Sequence, residues 1–184
     1  MKKFSKEEAI QRFKKKLLSY AFVPDEDLGQ LTHLMHRKYF DKGEVILKEG
    51  EICKAYYFIL QGCVRSYSLK NEKEVNVSFY FEDDTACDFA SYRDDTPSKF
   101  YMVAMEDCIV YYGTKKETEP VFLAELSLHT LLFRFFQNLY LKEEEHSDTF
   151  KLLTPEERYQ YIKHIASYLG VSRETLSRIR KKMN

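Results

Sequence analysis

Across residues 38–112 the hydrophobic pattern repeats every second residue. Val75, Val77, Phe79 and Phe81 alternate with Asn76, Ser78 and Tyr80; Cys63, Arg65, Tyr67 and Leu69 alternate with Val64, Ser66 and Ser68. Only an extended chain sends successive side chains to opposite faces, so this span reads as strand. Gly43, Gly50, Gln61-Gly62, Asn71 and Asp83-Asp84 punctuate the runs. The result is about eight short strands at the spacing of an antiparallel sandwich or jelly roll. With 14 Phe and 14 Tyr, the chain has ample material for a core.

The flanks have a helical period. Ser5-Lys6-Glu7-Glu8 is a capping box, and Ile10, Phe13 and Leu17 follow on one face. A second short helix is expected after Pro24, carrying Leu28, Leu31 and Leu34. Beyond the strands, residues 120–145 read as one long helix. Leu128, Leu132, Phe135 and Leu139 form its stripe, and Leu131, Phe136 and Tyr140 widen it. An amphipathic helix buries about a third of its circumference. This wider stripe predicts contact on two sides: with its own β-domain, and with the same helix of a second copy. Thr154-Pro155-Glu156-Glu157 starts the last helical region.

Residues 162–184 read as a helix, a tight turn at Gly170 and a second helix. Ala166 is small enough for a close crossing, and Val171, Leu176 and Ile179 lock the second helix down. At 100° per residue, Leu176, Ile179 and Met183 fall on one side of that helix. Glu174, Ser177, Arg178 and Lys181 fall on the other, with Arg173 at the edge and Ser172 placed to cap. From Lys163 to the C-terminus there are six Lys or Arg and one acid, a net charge of +5, whereas the whole chain sums to +0. The basic charge is therefore segregated at one end, as a phosphate backbone requires.

Several classes drop out. No run of about 18 apolar residues exists, so no transmembrane helix is expected. The N-terminus lacks the apolar region of a signal peptide, and Cys53, Cys63, Cys87 and Cys108 form no CxxC pair. Reduced thiols in a cytoplasmic protein are the expectation. A metal-dependent jelly-roll enzyme needs a convergent His/Glu site, yet residues 38–112 contain no histidine. There is no nucleophile elbow or phosphate loop either. No catalytic residue, metal or cofactor is expected, and His33 and His36, three apart on an expected helix, read as a solvated or capping pair.

A β-domain, a long apolar helix and a terminal helix-turn-helix form the layout of the Crp/Fnr transcription regulators, and the residues agree. Lys42-Gly-Glu-Val-Ile-Leu-Lys-Glu-Gly-Glu51 and Ala55-Tyr-Tyr-Phe-Ile-Leu-Gln-Gly-Cys-Val-Arg65 resemble the first half of that family's cyclic-nucleotide-binding-type β-roll. Residues 165–181 resemble its DNA-reading element. The resemblance implies an α+β protein: an N-terminal antiparallel β jelly roll (double-stranded β-helix) with flanking helices, a long dimerisation helix and a C-terminal helix-turn-helix. The corresponding domains are 1–116 (sensor), 117–148 (connecting and dimerisation helix) and 149–184 (DNA binding). It further implies a homodimer on a near-palindromic double-stranded DNA site, a small-molecule effector, and RNA polymerase as a partner.

By that resemblance Arg173, Glu174 and Arg178 occupy base-reading positions. Arg can bond guanine bidentately and Glu can accept from cytosine. Ser172, Ser177, Lys181 and Lys182 are expected on phosphates. Three departures stand out. The family's nucleotide-binding members carry a phosphate cassette with an Arg beside a Ser or Thr. Here the matching stretch, residues 81–93, holds Glu82, Asp83, Asp84 and Asp88, and an effector other than cAMP is expected. Arg65, Asp88 and Arg93 are the candidate ligand-binding residues, with Arg93 also placed to pair with Asp94 or Asp95. No cysteine precedes Cys53, which argues against the iron–sulfur cluster of the family's oxygen sensors. The segment before the helix-turn-helix is shorter than in the family, and no β-hairpin wing follows. The alternative function is a ligand-binding signalling module whose helical C-terminus contacts protein.

Overall fold

The computed structural model describes residues 5–135 and residue 137. The DNA-contact candidates Ser172, Arg173, Glu174, Ser177, Arg178, Lys181 and Lys182, and the helix expected after Thr154, lie outside the described residues. A compact unit ends at Phe135.

Helix α1 (Lys6–Leu18) opens with the expected capping box, the Ser5 N–H donating to Glu8 Oε2 and the Glu8 N–H to Ser5 Oγ. Its buried face is Ala9, Phe13 and Leu17. Helix α2 (Asp25–His33) follows Pro24 and buries Leu28 and Leu31. His33 closes α2 and His36 opens β1, so the two do not share a helix as the spacing suggests; His36 Nε2 instead meets Glu117 Oε1 at 3.2 Å.

Eight strands follow, as the alternation predicts: β1 (His36–Phe40), β2 (Val45–Leu47), β3 (Ala55–Gln61), β4 (Val64–Lys70), β5 (Lys73–Tyr80), β6 (Thr85–Ala86), β7 (Tyr101–Ala104) and β8 (Cys108–Thr114). Between β6 and β7 lies the short helix α3 (Phe89–Asp94). The strands form two antiparallel four-stranded sheets, ordered β1-β8-β3-β6 and β2-β7-β4-β5. Phe58 and Tyr111, paired across β3 and β8, both pack on Phe13 of α1. Alternation turns Ile59 and Val110, both 0% exposed, to the opposite face, toward the second sheet. The core is therefore layered: helix, sheet, sheet.

One alternating run lies outside the core, and one expectation is corrected. The alternating apolar set of β5 is not core: Val75, Val77 and Phe79 are 41%, 47% and 41% exposed. β5 is an edge strand beside β4 alone, and a register shift between Ser66 and Tyr67 pairs Val75 with Ser68 but Phe79 with Arg65, on opposite faces. Nor is the helix after β8 continuous from Pro120. Helix α4 (Lys115–Ala124) begins earlier, capped by Thr114, and ends at Glu125 in extended geometry (φ −106, ψ 117). Residues 126–135 then resume the helix. In it Leu128 and Leu131 are buried, and Phe135 packs edge-on against Tyr20 and Phe89. Phe135, expected on an intermolecular seam, is thus half-buried against rings of its own protomer. Along α4 and the described part of the helix after it, the exposed large apolar side chains are Leu123, Leu126 and Phe133.

Candidate functional site

The segment from β6 through α3 to β7 includes most of residues 81–93, the stretch that by resemblance corresponds to the family's phosphate cassette. Three neighbouring stretches meet there. Asp88 caps α3, with its Oδ1 accepting the Ser91 N–H at 3.1 Å and its Oδ2 accepting the Ser98 hydroxyl at 2.7 Å. Ser98, 3% exposed, also accepts the Phe100 N–H. Its backbone joins the loop before β3: the Ser98 N–H donates to Glu51 O and the Gly50 N–H to Ser98 O, each at 2.8 Å. Ser91 donates its hydroxyl to Thr96 O at 2.6 Å and accepts the Cys53 N–H at 2.8 Å.

This arrangement has a definite chemistry. The Asp88 carboxylate stands in the cassette, held by the buried Ser98 hydroxyl and the Ser91 N–H. Asp88 would repel an anion, and the cations at α3's far end, Arg93 and Lys115, are paired with Asp94 and Asp95, whereas a neutral group that donates hydrogen bonds would find an acceptor in Asp88.

The three candidate residues are not brought together. Asp88 lies in the cassette as expected. Arg93 faces solvent, its side chain 71% exposed, and chelates Asp94 through Nε and Nη2 at 2.7 and 2.8 Å. That pairing holds the Asp94 carboxyl below its ordinary value and the Arg93 guanidinium above its own. Arg65 sits on the face of β4 opposite the buried Val64 and Ser66. It donates to Asn76 Oδ1 at 2.8 Å and Glu74 Oε2 at 2.5 Å, lies over the Tyr67 ring at 4.6 Å, and leaves its buried Nε without a hydrogen-bond partner. Tyr67 in turn stacks on Tyr101.

The acidic group of residues 82–88 is also divided. Asp83 pairs with Arg12 of α1 at 2.7 Å, and Asp84 Oδ2 accepts the Phe81 N–H. Both belong to the β5–β6 turn, so Asp88 alone supplies the cassette's carboxylate. Ser91 and Ser98 were absent from the sequence-based set. Their only signal was their place in the turn-rich run before β7, since hydroxyls carry neither charge nor periodicity.

Below the cassette lie two thiols. Cys53 and Cys87, 1% and 2% exposed, place their sulfurs 3.8 Å apart, and Cys53 also donates to Ala55 O at 3.3 Å. Hydrogen bonding from Cys87 holds the Cys53 thiol below its ordinary value. By contrast burial pushes the Cys63 thiol up to about 12. Among the described residues no group of three or more His, Cys, Asp or Glu is disposed to hold a metal ion, and no helix is long and apolar enough to cross a membrane.

Comparison with known proteins places this geometry. Residues 37–124 match the family model "Cyclic nucleotide-binding domain". No curated protein matches the chain. Among solved structures, a cyclic nucleotide-binding domain from Methylobacillus flagellatus superposes with a TM-score of 0.66 at 16% identity, over 79% of this chain and 85% of that one. The Thermus thermophilus catabolite activator protein does so with 0.61 at 17% identity, over 91% and 86%. A regulatory subunit of a cAMP-independent protein kinase A from Trypanosoma cruzi, bound to guanosine, gives 0.58 at 18%, over 74% of this chain and 50% of that one. The chain spans about half the length of the kinase regulatory subunits it resembles, 43% and 50% of the first two. Residues 37–124, with their two antiparallel sheets and the short helix between β6 and β7, are therefore a cyclic nucleotide-binding domain in fold.

Proposed function

We propose that the protein is a cytoplasmic, homodimeric, sequence-specific DNA-binding regulator of the Crp/Fnr type, whose β-roll takes a small effector other than a cyclic phosphate. Residues 1–116 would form the sensor, 117–148 the connection and dimer contact, and 149–184 the DNA-binding domain. The observation that carries the effector reading is the Asp88–Ser98 hydrogen bond, which puts an acceptor where an anion clamp would need a cation. A neutral, hydroxyl-bearing molecule suits that chemistry. The guanosine on the Trypanosoma cruzi neighbour is a ligand of this kind, a nucleoside without phosphate.

DNA binding rests on the sequence of the C-terminal segment: Arg173, Glu174 and Arg178 for bases, Ser172, Ser177, Lys181 and Lys182 for phosphates. Likeness to the catabolite activator protein over 91% of the chain supports it, as does the segregated charge of residues 163–184. Dimerisation is supported by Leu126 and Phe133, seven residues apart and 81% and 64% exposed. RNA polymerase is the further partner this reading carries. An effector would act by favouring one arrangement of the paired helices.

The second reading is a signalling module whose C-terminal helices contact protein, favoured by the likeness to kinase regulatory subunits. A selection separates the two. Purified protein is mixed with fragmented genomic DNA at about 100 mM salt, where phosphate contacts are still strong, and the retained pieces are sequenced. A two-fold symmetric motif with half-sites about 34 Å apart supports the regulator. No retention favours the module, and retention without any motif leaves only a basic segment on DNA.

A further inference from the structure

Cys53 and Cys87 lie 34 residues apart in sequence, at the start of the segment that leads into β3 and at the end of β6. Their side chains meet under the cassette. The sulfurs are 3.8 Å apart, and a disulfide needs about 2 Å. Closing that gap requires a small movement of the residues around Cys87, between a strand of two residues and a helix of six. We propose that Cys53 and Cys87 form a reversible intramolecular disulfide when the protein meets a hydroperoxide. The step turns on the position of the two thiols and is independent of which effector the roll binds.

The chemistry balances. Both S–H bonds break and one S–S bond forms, so the pair gives up two electrons and two protons. The peroxide O–O bond breaks, accepts those electrons and protons, and leaves as water plus an alcohol, or as two waters from hydrogen peroxide itself. Cys53 is the thiol placed to attack first. Its partner hydrogen bonds to it and so favours the thiolate, and Cys87 then displaces water from the sulfenic acid formed on Cys53. Cys63 and Cys108 form an internal contrast. The Cys108 thiol donates to Cys63 O at 3.3 Å, and burial raises both thiols above their ordinary values. Oxidation of the proposed pair would tie the loop before β3 to the residue preceding Asp88, so the cassette would be locked at its base.

Trypsin makes the test direct, because every cysteine falls on its own peptide: 49–54, 55–65, 74–93 and 100–115. The full-length protein is reduced, exposed to hydrogen peroxide, denatured in an alkylating agent and digested. The expected result is loss of two of the four thiols and a linked species joining peptides 49–54 and 74–93 in monomeric protein, reversed by dithiothreitol. In Cys87→Ser, no linked species should form, and Cys53 should accumulate as sulfenic acid trapped by dimedone. Survival of all four thiols in the wild type, a link between any other pair, or conversion to sulfonic acids without a link would overturn the proposal. The wild-type map decides the matter even if the variant fails to fold.

Discussion

Single residues carry much of the fold's specification, and their effects differ in kind. Gly62 turns the β3–β4 hairpin at φ +96, where a Cβ would lie 2.7 Å from Cys108 Sγ and 2.9 Å from the Asp107 carbonyl oxygen. Gly62→Ala therefore combines a left-handed backbone with a contact against main chain, and should cost upward of about 1 kcal/mol in denaturant unfolding. Ser98→Ala leaves Asp88 without its hydroxyl donor, and should lower stability by about 1–3 kcal/mol. Were that variant as stable as the wild type, the cassette hydrogen bond would be dispensable. Tyr111 links proton uptake to stability. Its hydroxyl donates to Thr32 O at 2.9 Å, and burial pushes it up to about 12 from 10.0. Above pH 10 the unfolded chain would hold fewer protons than the folded one, so stability must fall with rising pH. The contribution is whole below pH 10 and is lost as pH rises through about 12. Thermal melts across that interval should show the decline, and Tyr111→Phe should make it shallower, with Tyr20, Tyr56, Tyr57 and Tyr92, also raised by burial, carrying the rest.

At the scale of elements, what was legible in the sequence follows from physics that is local. The capping box at Ser5 and Glu8 needs only neighbours four residues long, and it is found as expected. Alternation likewise identified the strands, because it requires nothing beyond extended backbone. It could not tell which apolar face is buried. That depends on strand order, and Val75, Val77 and Phe79 fall on an edge that only the sheet topology reveals. Helix continuity failed for a similar reason: Thr114, the last residue of β8, caps α4, and the break at Glu125 has no glycine or proline to announce it. In the candidate site, Asp88 was readable as a charge, whereas Ser98 joins it from ten residues away and Ser91 takes the Cys53 N–H from 38 residues away, pairings that no local pattern announces. The revised helix face gives a test. Leu126→Glu combined with Phe133→Glu should yield folded monomers by sedimentation, since both side chains are exposed in one copy. Leu128→Glu, at 0% exposure, should unfold the protein instead. If the double variant stays dimeric, the seam lies elsewhere.

We propose a whole molecule in which a cyclic nucleotide-binding roll, whose cassette holds a carboxylate, is joined to a basic C-terminal segment that reads DNA. In the proposed complex Arg178→Ala should cost about 1–3 kcal/mol on the cognate site and relax preference at one base pair per half-site. Lys182→Ala should weaken binding on all sequences and reduce the salt slope by about one unit. Cyclic AMP should produce no binding heat at millimolar concentration, whereas a neutral nucleoside is the first effector class to screen by calorimetry. The most direct measurement compares the selected operator with a copy in which one half-site is scrambled, at fixed salt and with the full-length protein. A symmetric dimeric reader predicts loss of about 10³-fold or more in affinity, toward the level of non-specific DNA. Equal affinity for the two duplexes would contradict it, leaving the basic segment as a general phosphate contact.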